Sequence, residues 1–292
     1  MDKLKVFTAF SGYDSQCMAL ERAGIDYELV GWSEIDRYAI QAHDAVFPQW
    51  AGRNYGDISK IDWNSVPDFD LFTYSSPCQD FSNAGRMAGG EEGSGTRSSL
   101  LWECKKAIWA KRPKYAVLEN VKNLVSDKFY PLFRQWEQLL ASIGYVNYWK
   151  VLNAKDYGVP QNRERVFLVS VLDESQYFEF PAPSPCTTCM ADILEPEVDE
   201  RYYLSEKTIA MFEAWSDRQK SNGNGFAFAP TYGGGKPRPS GQRKDIKDMT
   251  TIYMGRTSRS QNSVIVSPKG IAPTMCNGEK HGMPKIMEDE RD

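Results

Sequence analysis

Lys5-Val6-Phe7-Thr8-Ala9-Phe10-Ser11-Gly12-Tyr13-Asp14-Ser15 decides the fold class of this chain. Lys5 to Phe10 reads as a strand, Ser15 to Ala23 as a helix, and Ser11 to Ser15 as the tight turn joining them. Working outward, Tyr27 to Trp32 reads as a second strand and a helix follows from about Asp36 to Val46. Leu71 to Tyr74, Tyr115 to Leu118, Tyr148 to Leu152 and Val166 to Val171 are further short apolar runs. Helical stretches at Leu101 to Ala110 and Phe129 to Ile143 separate several of them. Strands alternating with helices imply an α/β protein with a mostly parallel sheet covered on both faces. The last two strands have no helix between them, so one of them is expected to run antiparallel.

At 292 residues the chain exceeds one typical domain. Its character changes after Leu172, and Phe180-Pro181-Ala182-Pro183-Ser184-Pro185 reads as a stiff, extended connector. The expected division is therefore 1–172 and 173–292. The second part holds one helical segment, Ser205 to Trp215, and then a glycine- and proline-rich region. A hydrophobic fraction of 41% supports a core, while no apolar run approaches the roughly 20 residues of a membrane span. Met1-Asp2-Lys3-Leu4 enters a strand-like run at once, so no signal peptide is expected. Six cysteines are too sparse for a disulfide scaffold. The expectation is a cytoplasmic protein with no membrane partner. The net charge is −4, yet Thr231 to Ser260 carries seven Lys and Arg against two Asp, a local +5. Alone, such a stretch is a solvated loop; it gains meaning only beside a polyanion.

Several segments carry candidate chemistry. The Ser11-Gly12 turn stands where backbone donors and a helix N-terminus can face a ligand. Glu34 ends the second strand about 20 residues later, where an acid can hold ribose hydroxyls. Gly56-Asp57-Ile58 offers a carboxylate to an adenine amino group. Each is equally a turn or a helix cap; together they describe an adenosine pocket with no need for pyrophosphate. Ser75-Ser76-Pro77-Cys78-Gln79-Asp80-Phe81-Ser82 sets a cysteine behind a rigid proline just after a buried-looking strand. Five glycines between Phe81 and Arg97 make the following segment a candidate lid. A cysteine there is either a nucleophile or a small core residue.

Glu119-Asn120-Val121 follows the strand Tyr115 to Leu118, so Glu119 should emerge at the same sheet edge as Cys78. Burial strengthens a carboxyl group's hold on its proton and suits it to proton donation; a helix N-terminal glutamate is the alternative. In strand geometry Arg163 and Arg165 of Gln161-Asn162-Arg163-Glu164-Arg165 point the same way, toward a polar ring, a phosphate or surface ion pairs. Cys186-Thr187-Thr188-Cys189 is one CxxC without a second, and only His43 and His281 accompany it, so no metal site is expected.

Taken in order, FSGYDS (10–15), SEID (33–36), GDI (56–58), SPCQDFS (76–82), LENV (118–121) and QNRER (161–165) resemble the DNA (cytosine-5) methyltransferase family of prokaryotic or phage type. Asn153 to Pro160 resembles the segment before its QxRxR motif, and Ser267 to Thr274, within about 264–276, its late motif supporting the recognition domain. The resemblance implies a Rossmann-like mixed sheet binding S-adenosylmethionine, with a small target recognition domain. It implies that Cys78 attacks carbon 6 of a flipped-out cytosine and that Glu119 holds ring nitrogen 3. Arg165 would hold the ring carbonyl, with Arg163 nearby. Phe10, Ser11, Gly12, Glu34, Ile35, Asp57, Ile58, Pro77 and Leu100 would line the cofactor site. Double-stranded DNA is the implied partner, with a cognate restriction endonuclease or a complementing chain left open.

Two departures stand out. Asp14 occupies the position of a second glycine in many members, and Asp tolerates unusual backbone angles. The chain stops at Glu288-Asp289-Glu290-Arg291-Asp292 without the usual final motif and helix, so weak cofactor binding by this polypeptide alone is expected. The alternatives are a noncatalytic or split-enzyme DNA-binding subunit, or an RNA cytosine methyltransferase, against which the lack of Cys-Phe-Thr counts. A nicotinamide-dependent oxidoreductase would leave the PCQ, ENV and QxRxR motifs unexplained.

Overall fold

In a computed structural model, the described residues are 3–77, 97–184, 186–189, 191–193, 253–256, 264–266, 272–273 and 285–286. Cys78, the glycine-rich stretch after it, the helical reading of Ser205 to Trp215 and nearly all of the basic stretch lie outside them. The chain divides into two compact units: Met1–Leu152 with Arg165–Pro181, and Asn153–Glu164 with Ala182–Asp292.

The first unit begins with strand β1 (Leu4–Ala9), helix α1 (Ser15–Arg22), strand β2 (Tyr27–Ser33) and helix α2 (Arg37–Val46). Strand β3 (Leu71–Tyr74), helix α3 (Glu103–Lys111), strand β4 (Tyr115–Val121) and helix α4 (Tyr130–Ser142) continue the alternation. Strand β5 (Val146–Asn153) follows; the chain then passes through β6 (Gln161–Asn162) of the second unit and returns as β7 (Glu164–Val171). Six strands form one sheet in the order β2-β1-β3-β4-β7-β5. β1 pairs in parallel with β2 and β3, and β3 with β4, whereas β7 is antiparallel to β4. The expected reversal in a mostly parallel α/β sheet is therefore β7.

The period of two along each strand separates two cores. Phe7, Ala9, Phe72, Tyr74, Ala116 and Leu118 pack with Cys104, Ala107 and Ile108 of α3 and with Leu132, Phe133, Trp136 and Leu140 of α4. Val6, Leu29 and Leu71 cluster instead with Cys17 of α1, and Ile40 of α2 packs against them. In the first core the Trp136 indole donates to the Tyr74 hydroxyl at 3.1 Å, so two large buried aromatics keep their polar atoms paired.

β4 extends three residues past the expected Leu118. Glu119, Asn120 and Val121 are in the strand, opposite Phe167, Val166 and Arg165 of β7. Glu119 is thus a strand residue and not the first residue of a helix. Glu and Asn have little strand preference of their own; here the antiparallel partner supplies the ladder.

In the second unit, β8 (Tyr253–Arg256), β9 (Val264–Val266) and β11 (Lys285–Ile286) form a three-stranded sheet. β10 (Ala272–Pro273) runs parallel to β6, with Ala272 opposite Gln161 and Pro273 opposite Asn162. Ala272 and Pro273 of the late SPKGIAPT segment therefore pair with the start of the QNRER segment.

Candidate active site

The turn after β1 is built from left-handed backbone at Phe10 (φ 56°), Gly12 (φ 58°) and Asp14 (φ 67°). Asp14 earns that conformation with its side chain. One carboxylate oxygen accepts from the Cys17 amide at 3.3 Å and caps α1; the other accepts from the Thr8 hydroxyl at 2.8 Å. His43 is fully buried, stacks on Trp32 with ring centroids 3.7 Å apart, and brings Nε2 to 3.7 Å from Asp14. Asp14 thus does with hydrogen bonds what a glycine would do by lacking a Cβ.

Glu34 is drawn back over this turn. Its Oε2 accepts from the Gly12 amide at 3.0 Å, while Oε1 accepts from the amides of Ile35 and Asp36 at 2.8 and 2.9 Å. Three donors fix the carboxylate and leave lone-pair capacity for a fourth. Asp57 caps a short 3-10 turn, Ile58–Lys60, and accepts from the Ser59 hydroxyl and amide at 2.8 and 3.0 Å. Those bonds hold its carboxyl below the usual range against a small opposing effect of burial. Ile35 is 72% exposed, whereas Ile58 sits in the core at 3%. Phe10 and Leu100 are half-buried against the first core. The Ser11 hydroxyl is buried and has no hydrogen-bond partner among the described residues.

The root of the cysteine segment is also anchored. The Gln16 amide donates to the Ser75 hydroxyl at 3.1 Å, and the Asn120 amide donates to the Ser76 carbonyl at 3.1 Å. Pro77, half-buried, is the last described residue before Cys78. Cys17 and Cys104 are excluded as nucleophiles, because complete burial pushes both thiols far up, helped by the neighbouring charges of Asp14 and Glu103 respectively.

Glu119 and Arg165 meet. Arg165 Nε lies 3.1 Å from Glu119 Oε1, with the side chains 16% and 25% exposed. Because Glu119 faces Phe167 across the ladder, Arg165 two residues away is its diagonal neighbour on the same face. Arg163 belongs to the second unit, half-buried just before β7, its amide bonded to the Asn153 side chain at 3.0 Å. Among the described residues no cluster of His, Cys, Asp or Glu could hold a metal ion. No helix among them is long and apolar enough to cross a membrane.

Two contributors escaped the sequence reading: Asn54, which bonds the backbone around Glu34 and Gly56, and the Asn120 tether. Asn120 stood inside a recognised motif, which was its only signal; Asn54 had none.

The sheet order, the reversed strand β7 and the left-handed turn after β1 define a methyltransferase-type α/β fold. The solved structure of the Schizosaccharomyces pombe Dnmt2 methyltransferase superposes with a TM-score of 0.63 at 17% identity, covering 99% of this chain and 78% of that one. The family model for C-5 cytosine-specific DNA methylases matches residues 4–291, and the chain belongs to that family. A type II methyltransferase of Lactococcus lactis subsp. cremoris, M2.ScrFI, is 40% identical over 71% of this chain and 72% of its own. An orphan methyltransferase of Bacillus phage SPR, M.SPRI, is 30% identical over 100% of this chain and 68% of its own. The protein is a DNA (cytosine-5) methyltransferase, and family and fold imply S-adenosylmethionine as methyl donor. The turn fits such a group: an orphaned buried hydroxyl at Ser11, two acceptor carboxylates at Glu34 and Asp57, and an exposed apolar side chain at Ile35.

Proposed function

We propose that this methyltransferase acts on carbon 5 of a flipped-out cytosine in double-stranded DNA through a covalent adduct with Cys78. The observation that carries this reading is the Glu119–Arg165 pair, 3.1 Å apart at the end of β4. A carboxyl and a guanidinium side by side present a donor edge to ring nitrogen 3 and the ring carbonyl of cytosine. Cys78 follows the anchored Ser75-Ser76-Pro77 root and supplies the thiolate.

Carbon 5 of cytosine is a poor nucleophile. Addition of the Cys78 thiolate to carbon 6 pushes a ring electron pair toward nitrogen 3, where Glu119 supplies the proton. The resulting enamine makes carbon 5 nucleophilic. S-adenosylmethionine, when bound, supplies an electrophilic methyl group. Loss of the carbon 5 proton to a base then restores the double bond and expels the thiolate, and nitrogen 3 returns its proton to Glu119. Arg165 holds the ring carbonyl and Arg163 supports it or a phosphate.

For the donor, Glu34 takes the ribose and Asp57 the adenine amino group, with Phe10, Ser11, Gly12, Ile35, Ile58, Pro77 and Leu100 around them. We assign target recognition to 173–292, with the basic stretch of 231–260 on the DNA backbone. The cytoplasm is the compartment this reading requires. A cognate restriction endonuclease is a further partner by analogy with the type II relative.

DNA carrying 5-fluorocytosine blocks the final proton loss and tests the adduct. Wild type with S-adenosylmethionine is expected to form a denaturation-resistant protein–DNA species that Cys78→Ala does not form. No such species from a preparation that methylates ordinary cytosine would contradict the mechanism.

A further inference from the structure

Asn54 lies on the irregular segment between α2 and the Asp57 turn, beside the edge strand β2. Arg53 and Tyr55 exchange backbone hydrogen bonds with Trp32, at 3.2 and 2.8 Å, which brings the Asn54 side chain to the end of β2. There its Oδ1 accepts from the Glu34 amide at 3.1 Å and from the Gly56 amide at 2.8 Å, while Nδ2 donates to the Glu34 carbonyl at 3.0 Å. Only one orientation of the amide satisfies all three contacts, since two partners are donors and the third is an acceptor. A second link runs beside it: the Ser33 hydroxyl donates to the Gly56 carbonyl at 2.6 Å.

Glu34 and Asp57 are 23 residues apart in sequence, and neither carboxylate bonds directly to the other's segment. The Asn54 amide joins both backbones. It holds Glu34 by amide and carbonyl together, which sets the direction in which that residue leaves the strand. It holds Gly56, whose φ of 71° turns the chain immediately before Asp57.

We propose that Asn54 is a positioning residue for the methyl donor, fixing the spacing between the Glu34 and Asp57 carboxylates so that one adenosine spans both. The proposal rests on the assignment of those two carboxylates to ribose and adenine. Asn54 touches neither the donor nor the DNA in this account; it acts through the two backbones it joins. Its loss affects the donor's adenosine end and leaves the cytosine end, at β4 and β7, in place. The signature is therefore a change in KM and Kd for S-adenosylmethionine with kcat at saturating donor retained.

Calorimetry with S-adenosylmethionine and steady-state methylation, on wild type, Asn54→Ala, Asn54→Asp, Glu34→Gln and Asp57→Asn, test this. Asn54→Ala is expected to weaken donor binding about tenfold to a hundredfold, the scale of one to two net hydrogen bonds. Asn54→Asp keeps an acceptor for both amides and is expected to fall between it and wild type. If Asn54→Ala does not fold, Ser33→Ala, which removes the parallel link, takes its place with a smaller loss in the same direction. Weakened binding in the Glu34 and Asp57 variants with wild-type affinity in the Asn54 variants would overturn the positioning role alone. Wild-type affinity in the Glu34 and Asp57 variants would overturn the adenosine assignment beneath it. A fall in kcat at saturating donor with unchanged Kd would also overturn the proposal.

Discussion

The side-chain amide of Asn120 donates to both the carbonyl and the hydroxyl of Ser76, at 3.1 and 3.3 Å, in a fully buried contact. Residue 120 is neighbour to Glu119, and residue 76 is two before Cys78. One side chain thus couples the strand that carries the acid to the segment that delivers the cysteine. Replacing Asn120 by Leu leaves the Ser76 groups unpaired in the interior, at a cost of about 1–3 kcal/mol. Urea unfolding is expected to show that loss. Methyl transfer measured where the variant is still folded is expected to fall as well, because the cysteine segment loses its anchor.

Glu119→Gln keeps the shape of the side chain and one hydrogen bond to Arg165 but cannot deliver a proton to the cytosine ring. The expected result is a fall in kcat of roughly 10²–10⁴-fold, the range of general acid–base catalysis, with melting temperature and DNA affinity near wild type. Arg165→Lys keeps the charge and loses the planar fork, so it is expected to retain folding and lose part of the activity.

Asp14 offers a test of backbone physics. Its φ of 67° costs a residue with a Cβ about 1–2 kcal/mol unless side-chain bonds offset it. Asp14→Ala and Asp14→Gly both lose the Thr8 bond and the α1 cap, but only alanine keeps the backbone penalty. Chemical denaturation is expected to rank wild type first, glycine second and alanine last, with about 1 kcal/mol between the two variants.

Acid stability is expected to depend on Asp70. Burial raises its pKa, but bonds from Lys114 at 2.8 Å and from the Lys5 amide at 3.1 Å outweigh it and hold the carboxyl below its ordinary value. The folded chain then binds this proton less tightly than the unfolded chain. The stabilisation is complete above the ordinary carboxylate pKa of about 4 and disappears as pH falls through the lower folded value. Asp70→Asn should therefore be less stable than wild type at neutral pH, with the gap closing on acidification; urea midpoints across pH measure it.

The fold was legible because its determinants are local and periodic. Leu71 to Tyr74 is a short, mainly apolar run, and the structure buries all four residues, Thr73 included, as β3. The end of β4 was less legible: Glu119 and Asn120 have no strand signature, and only pairing with β7, about 45 residues later, makes them one. Motif order brought Glu34 to the turn after β1 but did not indicate that its carboxylate would take the Gly12 amide. Asn54 left no trace, because a side-chain amide that joins the backbone two residues on, at Gly56, to the backbone 20 residues back, at Glu34, has neither period nor composition to betray it.

Methyl transfer to DNA from S-adenosylmethionine carrying a labelled methyl group decides whether Cys78 makes the bond to cytosine. Wild type is expected to place the label on carbon 5 of cytosine, and folded, DNA-binding Cys78→Ala to place none. Label on carbon 5 from the alanine variant at a rate near wild type would contradict the account.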